Sequence, residues 1–487
     1  MESVPFVYCL KSSFRGQLCD FCLKANSNLR KCCGCMVVSY CGRVCQREGW
    51  KDHKIECKNL LKVKPNTPTD SVRLMARLIL KLQRGGDMEA EHITAIWSRK
   101  FKDLLSHRKE IKEDVKRMEY FLTICGVLNE YLSDEILPNA VELLGIYGRM
   151  CINSFNILNG EMQAIGTGIY LAPSVIDHSC SPNAVATFDG FKLRIRVTQD
   201  LPKLDWSFIY ISYIDLMNSK NHRKKELKER YYFDCNCPRC GSDEIDCYHY
   251  AARCPSCRNP ITVRRGDKFP PCSCGSRLDS SFSKQFWSAA DFSEQQLLLM
   301  QDTNYLDVCK LCLTKQEDLF HDLCLIRSKV LDAAFDSAVQ LQLWESAIQY
   351  GLPLIHAYKL WYGNEHPLTA ILLLKIFKIM LLVSPNDDSA ALKYYQEAAK
   401  IIELTHGKGS MFYQQDVKLK LKFIRSKMST KYSVCGMLRD CSIRIVVFVF
   451  SYSFFAFNLK FRFSSLTRWN QKITRIFNNS SMSYSPF

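Results

Sequence analysis

The spacing of apolar residues divides the chain into helical regions and one region of short strands. Residues 70–150 carry apolar side chains at helical spacing, beginning with "DSVRLMARLILKLQ", whose first residue, Asp70, is of a type that caps helices. The pattern is again helical from about residue 283 to about residue 427. Between these regions, "AVATF", "KLRIRV" and "FIYISYI" are rich in β-branched and aromatic residues and are separated by Pro, Gly and Asp, which predicts strands.

The C-terminal helical region contains an internal repeat with a period of 44 residues. "AIQYGLPLIHAYKLWYGNEH" (347–366) aligns with "ALKYYQEAAKIIELTHGKGS" (391–410). Such a period predicts stacked helical hairpins of the tetratricopeptide kind, which serve either as a groove for a partner or as plain scaffold. The residues that match in register are Ala347 with Ala391, Tyr350 with Tyr394, and Gly363 with Gly407.

The 25 cysteines among 487 residues change this picture, because ordinary globular domains carry far fewer. The start, "MESVPFVYCLKSSFRG", has neither the basic segment nor the long apolar segment of a secretory signal. Closely spaced cysteine pairs in a large chain without a signal peptide favour zinc in a reducing compartment over disulfides.

Residues 19–57 hold eight potential zinc ligands in four pairs. Two pairs are CxxC turns and two have i, i+4 spacing, which places both ligands on one helix face. Eight ligands make two closed, structural zinc sites, and a module of about 40 residues needs that metal to fold. Cys33 is left as a spare thiol. The pairs are Cys19/Cys22, Cys32/Cys35, Cys41/Cys45 and His53/Cys57.

A second group of cysteines lies downstream in "FDCNCPRC", at Cys235, Cys237 and Cys240. Three ligands are one short of a closed site, and Cys180 in "VIDHSCSPN" is the predicted fourth, which would close a long loop. Further on, "CPSC" and "CSCG" (Cys254, Cys257, Cys272 and Cys274) look like a degraded zinc ribbon. The CxC spacing is poor for a ribbon, so a fourth zinc is left open.

The formal net charge of +17 falls to about +12 once zinc-bound cysteines are counted as thiolates. Half of the remainder lies in the tail that begins at Tyr432. A solvated basic surface accounts for such a net charge at least as well as binding to nucleic acid does. Direct DNA binding is therefore not expected.

The spacing of 19–57, with Tyr40-Cys41 and the ending "HKIEC", resembles the MYND zinc finger. "DHSCSPN", a strand ending in "ISY", and "YYFDCNCPRC" together resemble a SET domain with its cysteine-rich post-SET segment. The chain is therefore similar to the SET-and-MYND family of protein lysine methyltransferases, from about residue 5 to about residue 430.

That resemblance implies an α+β multidomain fold, with a MYND finger and a helical insertion placed within a mostly-β SET core. In MYND fingers the pairs interleave, so that Cys19, Cys22, Cys41 and Cys45 form one site and Cys32, Cys35, His53 and Cys57 the other. The implied segments are 1–18 as a remnant of the N-terminal SET lobe, 19–57 as the MYND finger, 58–150 as the helical insertion, 151–233 as the SET core, 234–275 as the post-SET zinc segment, 283–430 as an all-α TPR-like domain, and 431–487 as an unmatched basic and apolar tail.

The resemblance also implies roles for individual residues. Tyr213 matches the catalytic tyrosine, which also contacts the cofactor S-adenosylmethionine, and Tyr231 matches an aromatic of the lysine channel. Asn153, Asp177, His178 and Phe233 match cofactor-contacting positions. Two alternatives stand beside these roles: Tyr213, Tyr231 and Phe233 as ordinary core residues, and His178 with Cys180 as a nucleophilic pair. The second is disfavoured because residues two apart on a loop align poorly.

The sequence departs from the family pattern in three places. A glycine-rich GxG cofactor loop, which the family carries ahead of the finger, is not found in residues 1–18, so weak or no cofactor binding is expected for this chain. Asp177 stands where the family usually has asparagine, and it would repel the cofactor's carboxylate. "PKLDWSF" replaces an acidic turn before the strand that carries Tyr213.

The sequence therefore predicts a lysine methyltransferase that acts on a histone or another protein, with three structural zinc ions and S-adenosylmethionine. An inactive scaffold that binds proline-rich partners through its finger and its helical domain is the alternative. A chaperone or another peptide at the TPR-like domain, a monomeric state and a location in cytoplasm and nucleus are expected. The tail contains "IRIVVFVFSYSFFAF", which is short for a membrane span of about 20 residues, so no membrane partner is expected.

Overall fold

The computed structural model describes residues 1–418, apart from 134, 136, 301–304 and 384–387. The tail 431–487 and the last part of the predicted helical domain, 419–430, lie outside the described residues. The helices are α1 (Arg43–Lys62), α2 (Asp70–Gln83), α3 (Arg108–Glu113), α4 (Val115–Tyr131), α5 (Ala140–Asn153), α6 (Lys220–Tyr231), α7 (Pro238–Gly241), α8 (Ser280–Leu299), α9 (Leu306–Gln316), α10 (Leu325–Gln340), α11 (Trp344–Trp361), α12 (Pro367–Val383) and α13 (Asp388–His406).

The strands are short and form several small sheets of two or three strands. They are β1 (Glu2–Ser3), β2 (Val7–Leu10), β3 (Arg30–Lys31), β4 (Ser39–Tyr40), β5 (Ala90–His92), β6 (Ser98–Lys100), β7 (Ser154–Leu158), β8 (Ala164–Ile169), β9 (Asp177–His178), β10 (Ala184–Asp189), β11 (Lys192–Val197), β12 (Tyr210–Ile211), β13 (Ala251–Arg253) and β14 (Pro260–Thr262).

The predicted strands "AVATF" and "KLRIRV" are β10 and β11, an antiparallel hairpin to which β1 adds a third strand. A second sheet has the order β2-β8-β7. "FIYISYI" forms only the two-residue strand β12, because its parallel partner β9 is itself two residues long. These sheets share one core, in which Leu10, Tyr170 and Leu193 are fully buried.

The region predicted to be helical, 70–150, contains four helices but also the β5–β6 hairpin. Its first helix, α2, is capped by Thr69, whose hydroxyl accepts from the backbone N–H of Val72. The prediction of Asp70 as the cap is therefore wrong: Asp70 is the first helical residue. Its carboxylate instead accepts from the backbone of Ser12 and from the Arg15 side chain.

The helices α8 to α13 form an array in which each helix packs against the next along the chain. The predicted repeat has a structural counterpart in α11 and α13. Ala347 and Ala391 are both fully buried, and each helix is followed by a glycine with positive φ, Gly363 at 102° and Gly407 at 79°. A left-handed residue just past a helix end favours glycine, which explains this part of the repeat. No helix within the described residues is long and apolar enough to cross a membrane.

Candidate active site and metal centres

Two metal centres lie at the start of the chain, with the interleaved ligand sets that the resemblance implies. In each set, all four ligand atoms lie within 4.8 Å of one another. The Cys22 and Cys41 sulfurs are 3.5 Å apart, those of Cys32 and Cys57 3.7 Å, and Cys35 Sγ is 3.5 Å from His53 Nε2. A tetrahedron with Zn–S bonds of about 2.3 Å has edges of about 3.8 Å, so both ligand sets fit zinc.

Local backbone geometry explains why the first ligand pairs converge. After Cys19 and after Cys32 the chain turns back through a residue with positive φ, Leu23 at 56° and Met36 at 61°. The Leu23 N–H donates to the Cys19 carbonyl at 2.9 Å, and the Met36 N–H donates to the Cys32 carbonyl at 3.0 Å. Cys45, His53 and Cys57 project from α1, where i, i+4 spacing places His53 and Cys57 on one face. The prediction that Cys41 and Cys45 share a helix face is wrong, because α1 begins at Arg43.

The second centre is held by a buried network that the sequence did not reveal. His53 Nδ1 lies 2.9 Å from Glu56, which also accepts from Arg73 and Arg77 of α2. Burial acts to raise the pKa of Glu56, but the two guanidinium groups outweigh it and hold that pKa well below its usual range. A carboxylate behind a ligating histidine fixes the ring and raises its basicity. Glu56 was not among the predicted site residues.

The third centre joins distant parts of the chain, as predicted. Cys180, Cys235, Cys237 and Cys240 place their sulfurs within 4.8 Å of one another. Cys180 is 3.6 Å from Cys240, and its backbone N–H donates to Cys237 Sγ. Because its sulfur is buried in this set, Cys180 is not a free nucleophile, and the four-cysteine set fits a structural zinc.

Arg239, within the third centre, is a buried side chain that sequence reasoning overlooked. Its guanidinium donates to the carbonyls of Cys180, Leu216 and Trp361, the last of which belongs to α11. Burial, followed by the nearby Arg223, lowers the pKa of Arg239 to about 10, so it remains a cation at neutral pH. This one side chain links the third centre to the helical array.

His178 connects the third centre with Tyr213. Its Nδ1 accepts the backbone N–H of Tyr213 at 3.0 Å, and its Nε2 lies 3.3 Å from Cys180 Sγ. Burial lowers the pKa of His178 to about 4. The ring is therefore neutral, with its proton on Nε2 facing the sulfur, since Nδ1 acts as an acceptor. The imidazole thus holds the backbone at Tyr213 in place.

Tyr213, Tyr231 and Phe233 form a half-buried aromatic cluster around His178. The Tyr213 ring centroid lies 5.0 Å from that of Tyr231 and 5.3 Å from that of His178, and Phe233 lies 6.1 Å from His178. The Tyr213 hydroxyl donates to the Ile176 carbonyl at 2.5 Å. Burial, with Asp177 and Tyr231 nearby, raises the pKa of Tyr213, so the phenol stays protonated. The hydroxyl proton of Tyr213 is donated to the Ile176 carbonyl, so the hydroxyl oxygen can act only as an acceptor toward a ligand.

Two charged side chains flank this cluster. Asp177 is exposed on β9, and the Arg99 guanidinium, on β6, lies close enough to interact electrostatically with both Asp177 and Tyr213. Burial lowers the pKa of Arg99, and Asp103, Tyr213 and Asp177 oppose that change. Arg99 lies in a region that was predicted only as helical, and its position beside Tyr213 was not predicted.

Asn153 is placed differently from the other predicted cofactor residues. It is the last residue of α5, and its amide nitrogen donates to the carbonyls of Leu105 and Arg149. Only its side-chain oxygen is left for a ligand.

The loop after Tyr213 is held by the helical array. The Tyr362 hydroxyl donates to Asp215 at 2.8 Å, and the Lys329 ammonium donates to Asn218 at 2.5 Å. The residues around Tyr213 are thus supported on one side by the third metal centre and on the other by the array.

A fourth group of four cysteines also converges, at Cys254, Cys257, Cys272 and Cys274. The CxC spacing therefore does not prevent the four sulfurs from lying close enough together to bind one metal ion.

Comparison with known proteins gives the family context of this geometry. Residues 19–57 match the MYND finger family. Histone-lysine N-methyltransferase SMYD3 from Homo sapiens is 30% identical over 410 residues, which cover 84% of this chain and 88% of that protein. N-lysine methyltransferase SMYD2-B from Danio rerio and N-lysine methyltransferase SMYD2 from Homo sapiens are each 25% identical, over 83% of this chain and 88% of the relative.

Proposed function

Since the chain belongs to the SET-and-MYND family of protein lysine methyltransferases, we propose that it transfers a methyl group from S-adenosylmethionine to a lysine of a histone or another protein. The observation that carries the proposal is the environment of Tyr213. The protonated phenol of Tyr213 donates to the Ile176 carbonyl, His178 accepts the Tyr213 backbone N–H, and aromatic rings surround both. This arrangement suits a methyl transfer that needs orientation and an apolar surround more than a strong base.

The proposed domain arrangement follows the family. Residues 151–233, with 1–18, form the SET core, and 58–150 are its helical insertion. Residues 234–275 form the post-SET segment, and 283–430 the TPR-like domain. The short strands around Tyr213, the third metal centre and the helical array support this assignment.

S-adenosylmethionine, when bound, supplies a methyl group made electrophilic by its sulfonium. Its methionine end carries one ammonium and one carboxylate. Asp177 and Arg99 offer one opposite charge to each, and Arg99 offsets the repulsion that Asp177 alone would exert on the carboxylate. In the charges that it offers to the methionine end, the site therefore fits this cofactor, but because residues 1–18 hold no GxG loop the expected affinity remains low. The rest of the cofactor would be held by the backbone of His178, by the ring of Phe233 and by the free side-chain oxygen of Asn153.

The phenol of Tyr213, whose proton is donated to the Ile176 carbonyl, would offer its oxygen lone pairs to the electrophilic methyl that the bound cofactor supplies. Tyr231, packed beside it, lines the path of the lysine side chain and excludes water. The incoming amine must be neutral, and a dry aromatic channel favours that form.

The partners follow from the same family. The MYND finger is proposed to bind proline-rich peptides and the helical array a protein partner, in a monomer located in cytoplasm and nucleus. The zinc ions in the finger and in the third centre are structural, because each set of four ligands leaves no open position.

The test is a methylation assay with labelled S-adenosylmethionine and histone octamers or cell extract as acceptor. Tyr213→Phe is expected to lower the rate by about 100-fold, the usual effect of removing one positioned polar group. Tyr120→Phe, at an exposed site on α4, is the matched control and should leave the rate unchanged. Equal rates for Tyr213→Phe and the wild type would contradict the proposal. Absence of both methylation and cofactor binding, with peptide binding intact, would favour the scaffold alternative.

A further inference from the structure

Cys254, Cys257, Cys272 and Cys274 lie outside the three centres that the family resemblance implies. The Cys254 and Cys274 sulfurs are 3.6 Å apart, and those of Cys257 and Cys272 are 3.5 Å apart. All four lie within 4.8 Å of one another. These separations match the edge of about 3.8 Å of a tetrahedral zinc–thiolate site, and they are too long for S–S bonds of about 2.05 Å.

The turn after Cys254 repeats the geometry of the first MYND turn. The N–H of Arg258 donates to the Cys254 carbonyl at 2.9 Å, and the Cys254 N–H donates to Asn259 at 3.0 Å. After Cys19, Leu23 and Lys24 make the same two bonds, at 2.9 Å and 3.1 Å. Arg258 has a φ of 64° and Leu23 one of 56°. A left-handed backbone at a non-glycine residue is unfavourable unless its surroundings impose it, and here it occurs at the same place in both turns.

The second half of the group shows how CxC spacing can serve as a zinc turn. The Cys272 N–H donates to the Ser276 carbonyl and the Gly275 N–H to the Cys272 carbonyl, both at 2.8 Å. Gly275 has a φ of 86°, so the turn closes one residue earlier than after Cys254. Glycine adopts this conformation at the least cost. The tighter turn places the sulfurs of Cys272 and Cys274, which are separated by one residue, near the same metal position.

The segment 250–276, which we call the ribbon, is attached to the helical array. Its strand β13 pairs with the connection between α9 and α10: the Arg253 N–H donates to Leu319, and the His321 N–H donates to Ala251, both at 2.9 Å. Between these bonds, Phe320 is fully buried and stacks on Phe286 of α8 at 4.4 Å. A ribbon of this length has little core of its own, so something else must hold its two turns together.

We infer that Cys254, Cys257, Cys272 and Cys274 bind a fourth, structural zinc ion, which closes the ribbon and keeps β13 paired with the first helices of the array. Four thiolates leave no open coordination position, which excludes a catalytic role for this ion. Zinc is favoured over harder cations because every ligand is sulfur. The inference rests on the geometry of the ribbon and is independent of methyltransferase activity.

The first test is the zinc content of the purified full-length chain, measured by plasma mass spectrometry against protein concentration. Four zinc ions per chain are expected, and three or fewer would overturn the inference. The double variant Cys254→Ser/Cys257→Ser should retain three. The matched control Cys125→Ser/Cys247→Ser, at two cysteines outside all four groups, should retain four. Four ions in the ribbon variant would also overturn it.

A second test uses only the wild-type chain and so does not depend on whether a variant folds. Cys33 and Cys274 are both exposed cysteines, but only Cys274 belongs to a ligand group. With zinc bound, iodoacetamide should modify Cys274 at least about tenfold more slowly than Cys33, and a chelator should abolish the difference. Equal rates before chelation, or a disulfide between ribbon cysteines in the freshly purified protein, would overturn the inference.

Discussion

The finger, residues 19–57, and the site around Tyr213 are built in opposite ways. In the finger, all eight ligands come from one stretch of 39 residues. Their spacing gives the four pairs, and the resemblance to MYND fingers gives the interleaving of those pairs. The Tyr213 site draws on β6, β9, the end of α6 and the third metal centre, and it is held from outside by the helical array. Local spacing therefore predicts metal centres well, whereas a site assembled from distant segments depends on contacts that spacing does not contain.

The largest expected effect tests whether the finger is independent of the Tyr213 site. Cys35→Ser should release the zinc of the second centre, whose binding contributes about 10 kcal/mol or more in isolated fingers. Hydrogen exchange measured by mass spectrometry should then rise across 30–57 and remain unchanged across 176–233. Cys33→Ser, at an adjacent exposed cysteine outside the ligand set, is the control and should change neither. A comparable rise in both regions would show that the two are not separately stabilised.

The next effect concerns the side chain that joins the third centre to the array. Arg239→Ala leaves the carbonyls of Cys180, Leu216 and Trp361 without their donor. We expect the free energy of unfolding to fall by about 3 kcal/mol, as for other losses of buried charged hydrogen bonds. Urea denaturation measures this. Arg47→Ala, at an exposed arginine, should cost less than about 0.5 kcal/mol. Similar costs for the two variants would mean that Arg239 is not a structural link.

Features that depend on local spacing could be predicted from the sequence, and features that depend on contacts between distant segments could not. The ligand pairs of the finger, the strands β10 and β11 and the repeat between α11 and α13 were predicted because each depends on local spacing. The interleaving of the finger pairs came from the family resemblance, and Cys180 was predicted because the cysteines at 235–240 are one ligand short of a closed site. The prediction of Asp70 as the cap was wrong because Thr69, one residue earlier, is also of a cap-forming type and its hydroxyl accepts the N–H of Val72. The β5–β6 hairpin was missed because its residues, "AEH" and "SRK", carry no alternation of apolar and polar positions.

Buried charges were missed for a different reason. Glu56 and Arg239 are residues that usually lie on the surface, and each is buried because partners from distant segments neutralise it or accept its hydrogen bonds. Arg99 likewise gains meaning only from the proximity of Asp177. Composition and spacing carry no information about such pairings.

A smaller effect is expected at Arg99. Arg99→Ala should weaken S-adenosylmethionine binding about tenfold, because Asp177 would then face the cofactor's carboxylate without compensation. Isothermal calorimetry provides the measurement. The double variant Arg99→Ala/Asp177→Asn should regain part of the loss, since it removes the repulsion. If Arg99→Ala binds as tightly as the wild type, Arg99 has no role in holding the cofactor.

The smallest effect separates support of the Tyr213 loop from stability of the array. Tyr362→Phe removes the hydrogen bond from α11's C-terminal end to Asp215, two residues after Tyr213. We expect the methylation rate to fall about fivefold, equivalent to one hydrogen bond of about 1 kcal/mol. Tyr358→Phe is the matched control, because its hydroxyl also donates to an aspartate, but that aspartate, Asp332, lies within the array.

Both tyrosine variants should lower the melting temperature by similar small amounts, whereas only Tyr362→Phe should slow methylation. Equal rates for the two would mean that the array stabilises itself without positioning the loop. A fall in rate for Tyr362→Phe alone would show that the helical array acts on the chemistry through Asp215. The site around Tyr213 would then depend on a helix about 150 residues away in sequence, in contrast to the finger, whose ligands lie within one short stretch.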